Sequence, residues 1–328
     1  MKFFNIDCHV SVVSDVKNVF ESLGHSVDHW SISGHRHLFG FPECPSPVIN
    51  SQNWRDIDER FVDRFYDQHK NELDAYDGFV CAYPVYFLKL FEKFNKPIIV
   101  LAPIRYDFPL YDSRKSWLED SLKNNPNIIR IANNQFDQKY CEKFLGNTWE
   151  WIPSLCSYTN AVHKKKIDNF IVAGFHNPDL GQRFKHKSTL GQHSWSHLFS
   201  HSGIVHFPYN ASQMSIFEQN TAGVPLVFPS LDFAIELFHS HTNPQSMSGG
   251  TFSQLNWPNT FPDRHLKHFI NKEWLSYCDF YNGTINCEFF NSFDEITDCF
   301  QRFTFKANQS NKDLILTKWK NILSEINS

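Results

Sequence analysis

No stretch of this sequence is long and apolar enough to cross a membrane, and the apolar start from Phe3 to Ile6 is far too short for a signal peptide. A cytoplasmic chain without a transmembrane segment is therefore expected. The eight cysteines include no Cys-x-x-Cys pair, so the usual zinc and thioredoxin spacings are missing. Several lie in apolar, strand-like runs, such as Cys81 after Gly78-Phe79-Val80, and are expected to be reduced core thiols. There is no long basic block. The densest run is Lys164-Lys165-Lys166, and the formal net charge is −4, so a broad nucleic-acid footprint is not indicated. The P-loop pattern, a Gly-x-Gly-x-x-Gly after the first strand, Gly-x-Ser-x-Gly, His-Glu-x-x-His and His-x-Glu are all missing. Their absence argues against a P-loop NTPase, a dinucleotide oxidoreductase, an α/β-hydrolase, and a zinc hydrolase or deaminase.

What is present is alternation. The 328 residues suffice for two domains, and 33 phenylalanines supply much of a core and some of a ring-lined cleft. Phe3 to Ile6 reads as a buried strand. Val16, Val19, Phe20 and Leu23 keep helical spacing behind Ser14 as N-cap, and Gly24 stops that helix before a strand at Ser26 to Trp30. Strand, helix, glycine and strand open a parallel, doubly wound sheet. The pattern predicts helices over Asp56 to Leu73, Tyr86 to Phe94, Ser116 to Lys123 and Phe136 to Phe144. It predicts strands at Phe79 to Ala82, Ile98 to Leu101 and Asn127 to Ile131. A second set begins with a strand at Asn169 to Gly174. It continues through Gly203 to Phe207, a helix at Met214 to Thr221, a strand at Leu226 to Phe228 and a helix at Asp232 to His239. A late strand lies at Cys287 to Phe290, a helix follows from Ser292, and Leu314 to Ile326 forms a last amphipathic helix. The expected division is 1–155, 156–310, and a C-terminal helix at 311–328 that could return to the first domain.

Within the second set, Glu218 is followed by four residues and then by Gly223-Val224-Pro225 before the strand. This resembles the donor motif of glycosyltransferases with the GT-B fold, which implies an α/β architecture of two doubly wound, Rossmann-like domains facing a central cleft. In that family the Glu accepts hydrogen bonds from the ribose hydroxyls of the nucleotide. A carboxylate with two acceptor oxygens suits a vicinal diol. The resemblance further implies transfer of a sugar from a nucleotide-sugar donor, UDP-linked by default, to an acceptor hydroxyl. The donor is then a co-substrate, and no cofactor or metal is expected. The acceptor is a glycan, a small molecule or, as in some phage enzymes, a modified base in DNA. A non-catalytic nucleotide-sugar-binding module is the rival outside the class. Retaining members with two glutamates carry an earlier Glu where this chain has Asn210.

The candidate residues lie where strands end. Asp7 and His9 follow the first strand, where many inverting members keep a catalytic His. A His there can take the proton of the acceptor hydroxyl, with Asp7 as orienting group or base. His35, Tyr83, Arg105 and Asp107 follow other strands of the first domain and are expected to bind substrate. In the second domain Arg183, Lys185 and Lys187 are expected to balance the donor diphosphate. Ser212 and Ser215, at a helix start, offer hydroxyl and N–H groups to phosphate oxygens, and Gly223 shapes the turn after Glu218. Asp56-Ile57-Asp58 is a Asp-x-Asp pair, but it opens a predicted helix, where acidic residues favour the N-terminal dipole.

Overall fold

The alternation of strand, helix and glycine becomes two parallel sheets in the structure, a computed structural model. It describes residues 1–110, 114–174, 180–240, 251–252, 269–305 and 309–326. The chain divides into two compact units, Met1–Ser154 with Ser310–Ser328, and Leu155–Gln309.

The first unit runs β1 (Lys2–Asp7), α1 (Val10–Ser22), β2 (Ser26–Ser31), α2 (Glu59–Leu73), β3 (Gly78–Cys81), β4 (Ile98–Ala102), α3 (Arg114–Asn124), β5 (Ile128–Ala132), α4 (Gln135–Leu145) and β6 (Glu150–Trp151). The strand order is β2-β1-β3-β4-β5-β6. Every pairing is parallel, and β1 lies between β2 and β3, with Asp7 opposite Ser31 and Phe3 opposite Gly78. Helix α1 starts a turn earlier than expected. Val10, Val12 and Val13 extend the buried stripe of Val16, Val19 and Phe20, and Ser14 sits inside the helix with its hydroxyl donating to the Val10 carbonyl at 2.7 Å. Asp58 caps α2 by accepting from the Phe61 N–H at 2.7 Å. The segment expected as one helix from Tyr86 to Phe94 forms two 3₁₀ stretches, Val85–Leu90 and Glu92–Phe94. All six residues of the first are buried, so no polar face stabilises a regular amphipathic helix there.

The second unit runs β7 (Ile167–Gly174), β8 (Phe184–His186), α5 (Trp195–Leu198), β9 (His201–Phe207), α6 (Met214–Thr221), β10 (Leu226–Pro229), α7 (Leu231–Ser240), α8 (Lys272–Leu275), β11 (Glu288–Phe290) and α9 (Ile296–Arg302). Its order, β11-β10-β9-β7-β8, again places the unit's first strand between its second and third. Both sheets are therefore doubly wound, the α/β class expected from the sequence. The core of this sheet includes Val172, Val205, Phe207, Val227 and Phe290. Helix α10 (Gln309–Ile326) belongs, from Ser310 onward, to the first unit. There Lys318 Nζ donates to Glu150 Oε1 at 2.6 Å and to the Trp151 carbonyl at 2.8 Å, and Trp319 packs edge-on to Phe20 at 5.3 Å.

Gly223 ends α6 with φ +79. Its N–H donates to the Asn220 carbonyl and the Val224 N–H to the Gln219 carbonyl, both at 3.0 Å, so the last turn closes as a Schellman motif. A Cβ at Gly223 would also lie 3.3 Å from Phe305 Cζ. Gly223→Ala is expected to destabilise the protein by about 1–2 kcal/mol, the cost of a left-handed residue with a side chain. Urea unfolding checks this, and an unchanged midpoint would contradict it.

Candidate functional site

In a doubly wound sheet, ligands bind beyond the carboxyl ends of the strands, where the strand order reverses. That point lies between β7 and β9 in the second unit and between β1 and β3 in the first.

In the second unit the two strand ends press together. Gly174 has φ +116, and a Cβ there would stand 2.1 Å from the Phe207 carbonyl oxygen, so only glycine fits. The chain leaves β9 through Ser212 and Gln213 into α6. Gln213 is the N-cap, without a side-chain capping bond. Ser212 Oγ and Gln213 Nε2 are both buried without a hydrogen-bond partner among the described residues. Ser215 is half-buried in the first turn. The helix start thus offers N–H and hydroxyl groups to an oxyanion.

Glu218 lies one turn further along α6 and is 8% exposed. Its Oε1 accepts from the Tyr158 hydroxyl, and its Oε2 accepts from Trp195 Nε1 at 3.1 Å. Burial pulls the Lys187 pKa down, and the nearby charge of Glu218 opposes that shift. His206, on β9, is buried, stacks on Phe228 at 5.0 Å and has Nε2 2.6 Å from Gln219 Oε1. Burial lowers its pKa to about 4, so it is neutral at pH 7 and adds no charge.

The three expected cations are separated. Arg183 immediately precedes β8; its backbone carbonyl accepts from the Phe170 N–H at 2.9 Å, well before the end of β7. Its side chain is exposed, pairs with Asp168 at 3.2 Å and lies over the Phe170 ring. Lys185 is an exposed residue within β8, opposite Ile171. Lys187, half-buried just after β8, is near enough to Glu218 for the carboxylate charge to act on it.

In the first unit, Asp7 ends β1 and is 2% exposed. Among the described residues neither carboxyl oxygen has a hydrogen bond of regular geometry. Burial raises its pKa to about 7, although the Ser31 hydroxyl and the His9 N–H lie close enough to favour the charged form. His9 is the N-cap residue of α1, without a side-chain cap. Its Nδ1 is buried without a partner among the described residues, and its ring meets Tyr83 edge-on at 5.3 Å. The Cys8 N–H donates to the Tyr83 carbonyl at 3.1 Å, tying the end of β1 to the loop after β3. Burial lowers the His9 pKa, and the charge of His35, an exposed residue after β2, acts in the same direction. Asp7, His9, Tyr83 and His35 are thus brought to one sheet edge.

Arg105 and Asp107 are buried beside them but serve a different network. Asp107 accepts from Tyr140 at 3.2 Å and stands 3.8 Å from Lys115 Nζ, and Arg105 stands 3.9 Å from Asp137. The first-unit edge therefore presents an unpaired carboxyl and a neutral imidazole, and next to it a set of paired charges that stiffen the loop after β4.

Tyr158 and Trp195 were not anticipated from the sequence. They lie 60 and 23 residues before Glu218, with no local pattern linking them to it. The cue was composition: a Trp and a Tyr in polar segments of the second domain, where a core explains them less readily.

No protein-family model matches the chain, and no curated protein sequence does. Solved structures with a similar course of chain include a protein described as a UDP-N-acetylglucosamine 2-epimerase from Listeria monocytogenes. It is 11% identical, with a TM-score of 0.46, over 84% of this chain and 90% of that one. The calicheamicin glycosyltransferase is 10% identical, with a TM-score of 0.40, over 98% of this chain and 94% of that one. A glycosyltransferase of a Streptomyces species is 12% identical, with a TM-score of 0.38, over 88% of this chain and 97% of that one. The fold itself rests on the two parallel, doubly wound sheets.

Proposed function

We propose that the chain is a glycosyltransferase that moves a sugar from a nucleotide-sugar donor, UDP-linked by default, to an acceptor hydroxyl. The second unit holds the donor, with Glu218 on the ribose, Lys187 near the diphosphate, and Ser212, Ser215 and the start of α6 on phosphate oxygens. The first unit supplies His9 and Asp7 to the acceptor. One observation carries this reading. At the switch point of the second sheet, a buried carboxylate is held by two donors beside a cation and an uncapped helix start. Glu218 and the helix start suited to phosphate oxygens are carried by the same helix, α6.

The test is Glu218→Gln. Donor affinity is expected to fall by about 1–3 kcal/mol, the scale of a charge-assisted hydrogen bond that is lost. Isothermal titration with a panel of sugar nucleotides reads it, and unchanged affinity in a folded variant would remove Glu218 from the site. Turnover by the wild type separates an enzyme from a binding module.

The proposal requires no metal. Asp58 is engaged as the cap of α2, which gives the Asp-x-Asp spacing a local role. Transfer is expected to continue in EDTA. Complete loss in chelator, restored by manganese in the wild type but not in an Asp58 variant, would contradict this.

A further inference from the structure

Tyr158 and Trp195, 60 and 23 residues before Glu218, hold one oxygen each of its carboxylate. Tyr158 sits in a 3₁₀ turn, Ser157–Thr159, flanked by Cys156 at φ 50 and Asn160 at φ 49. Left-handed backbone at a residue with a side chain is costly and persists only where the surroundings enforce it. Here the enforcing element is α6 itself. The Thr221 hydroxyl, at the end of α6, donates to the Leu155 carbonyl at 2.6 Å. Cys156 Sγ lies 3.8 Å from the carbonyl of Met214, at its start. The turn is thus fastened to both ends of the helix that carries Glu218 and delivers the Tyr158 hydroxyl to its middle.

Trp195 comes from the first position of α5, whose N-cap Ser194 accepts from the His197 N–H at 3.2 Å. Its ring meets the Tyr158 ring edge-on at 5.9 Å. Two aromatic side chains with few rotatable bonds therefore grip the carboxylate. A phenol on one oxygen and an indole on the other fix both its rotation and its plane.

We propose that Tyr158 and Trp195 are positioning residues that preset the Glu218 carboxylate to read a vicinal diol, so that the site selects ribonucleotide donors over 2′-deoxyribonucleotide donors. This rests on the assignment of Glu218 to the donor nucleotide. Each carboxylate oxygen can accept more than one hydrogen bond. With one internal donor on each, the two oxygens face the 2′ and 3′ hydroxyls together. A carboxylate free to turn would lose that freedom on binding, a cost of roughly 3–10-fold in affinity for one side chain. A nucleotide lacking the 2′ hydroxyl engages at most one oxygen and gains less from the preset plane.

The experiment titrates UDP, GDP and ADP, each beside its 2′-deoxy counterpart, into wild type, Tyr158→Phe and Trp195→Phe. Both variants keep an aromatic ring and lose the donor. Thermal melts without ligand confirm that each is folded, and if one variant is not, the other decides. The wild type is expected to prefer the ribose form of the nucleotide it binds. Each variant should bind that form roughly 3–10-fold more weakly while its affinity for the deoxy form changes little, so the preference shrinks. In turnover, KM for the donor should rise with kcat nearly unchanged. A variant that weakens both forms alike, or leaves the preference intact, overturns the positioning role and leaves Glu218 in place. A wild type that binds both forms equally, or binds none of the six nucleotides, overturns the Glu218 assignment itself and the inference with it.

Discussion

His9→Ala is expected to lower turnover on the order of 10²–10⁴-fold, the usual worth of a positioned general base, while donor affinity changes little. The strand order of the first sheet reverses between β1 and β3, and His9 follows β1 at that point. The link from the Cys8 N–H to the Tyr83 carbonyl and the edge-on ring contact with Tyr83 hold the imidazole against the loop after β3. Burial lowers its pKa, so at pH 7 the ring is neutral and can accept a proton. A base acts as the acceptor oxygen attacks, so its loss appears in the chemical step. Donor binding is assigned to the other unit. Single-turnover measurements with saturating donor separate the two. Asp7→Asn is the control, because Asp7 is the other candidate acceptor of the proton. If both variants transfer sugar at wild-type rates, the loop after β1 is not catalytic. Asp107 would then be a poor substitute, since it is fully buried and bonded to Tyr140.

The parts of the site that rest on backbone conformation were legible in the sequence. Gly223 and Pro225 mark where α6 stops and β10 starts because left-handed backbone and a missing N–H are properties of those residue types. The expected helix Met214 to Thr221 coincides with α6, whose C-terminal end those two residues define. Positions that depend on a partner far along the chain were not legible. Tyr158 is a neighbour of Glu218 in a turn that Thr221 and Met214 anchor at residues 155–156. Arg183, Lys185 and Lys187 look like one basic loop in sequence. The short strand β8 spreads them along the edge of the sheet and leaves Arg183 on Asp168. Ser14 resembles an N-cap until three valines before it are seen to bury and draw the helix back a turn. The strand orders, which put both candidate sites at switch points, are a property of the folded sheets and have no signature in local pattern.

Asp7→Asn is expected to make the protein more stable at alkaline pH, by an amount that grows as pH rises. Three carboxyl groups near the strand ends of the first unit are almost wholly buried: Asp7 at 2%, Asp107 at 0% and Asp137 at 1% exposure. Asp107 is met by Tyr140 and Lys115, and Asp137 by Asn134 and Arg105. Asp7 has no cation within ion-pair distance among the described residues and no regular hydrogen bond to either oxygen. Burial raises its pKa to about 7, from an ordinary carboxyl value near 3.8. Below about pH 4 the group is protonated in the folded and unfolded chain alike, and folding pays nothing for it. As pH rises from there toward 7 the unfolded chain releases the proton while the folded chain keeps it, so stability falls, and the full penalty stands above pH 7. Asparagine keeps the shape and does not titrate. The stability of Asp7→Asn relative to wild type should therefore increase by about 2–3 kcal/mol between pH 5 and pH 8. Urea unfolding of both proteins at several pH values measures it; taking the difference cancels the titration of shared groups such as His9, and Cys8, whose thiol burial and the Asp7 charge push up, stays protonated in the folded protein over this range. A difference that stays constant with pH would mean that Asp7 is ionised in the folded protein as readily as in the unfolded one. The same variant tests why such a group is kept. A buried, unpaired carboxyl that weakens the fold is expected where a substrate uses it, so Asp7→Asn should gain stability and lose turnover together.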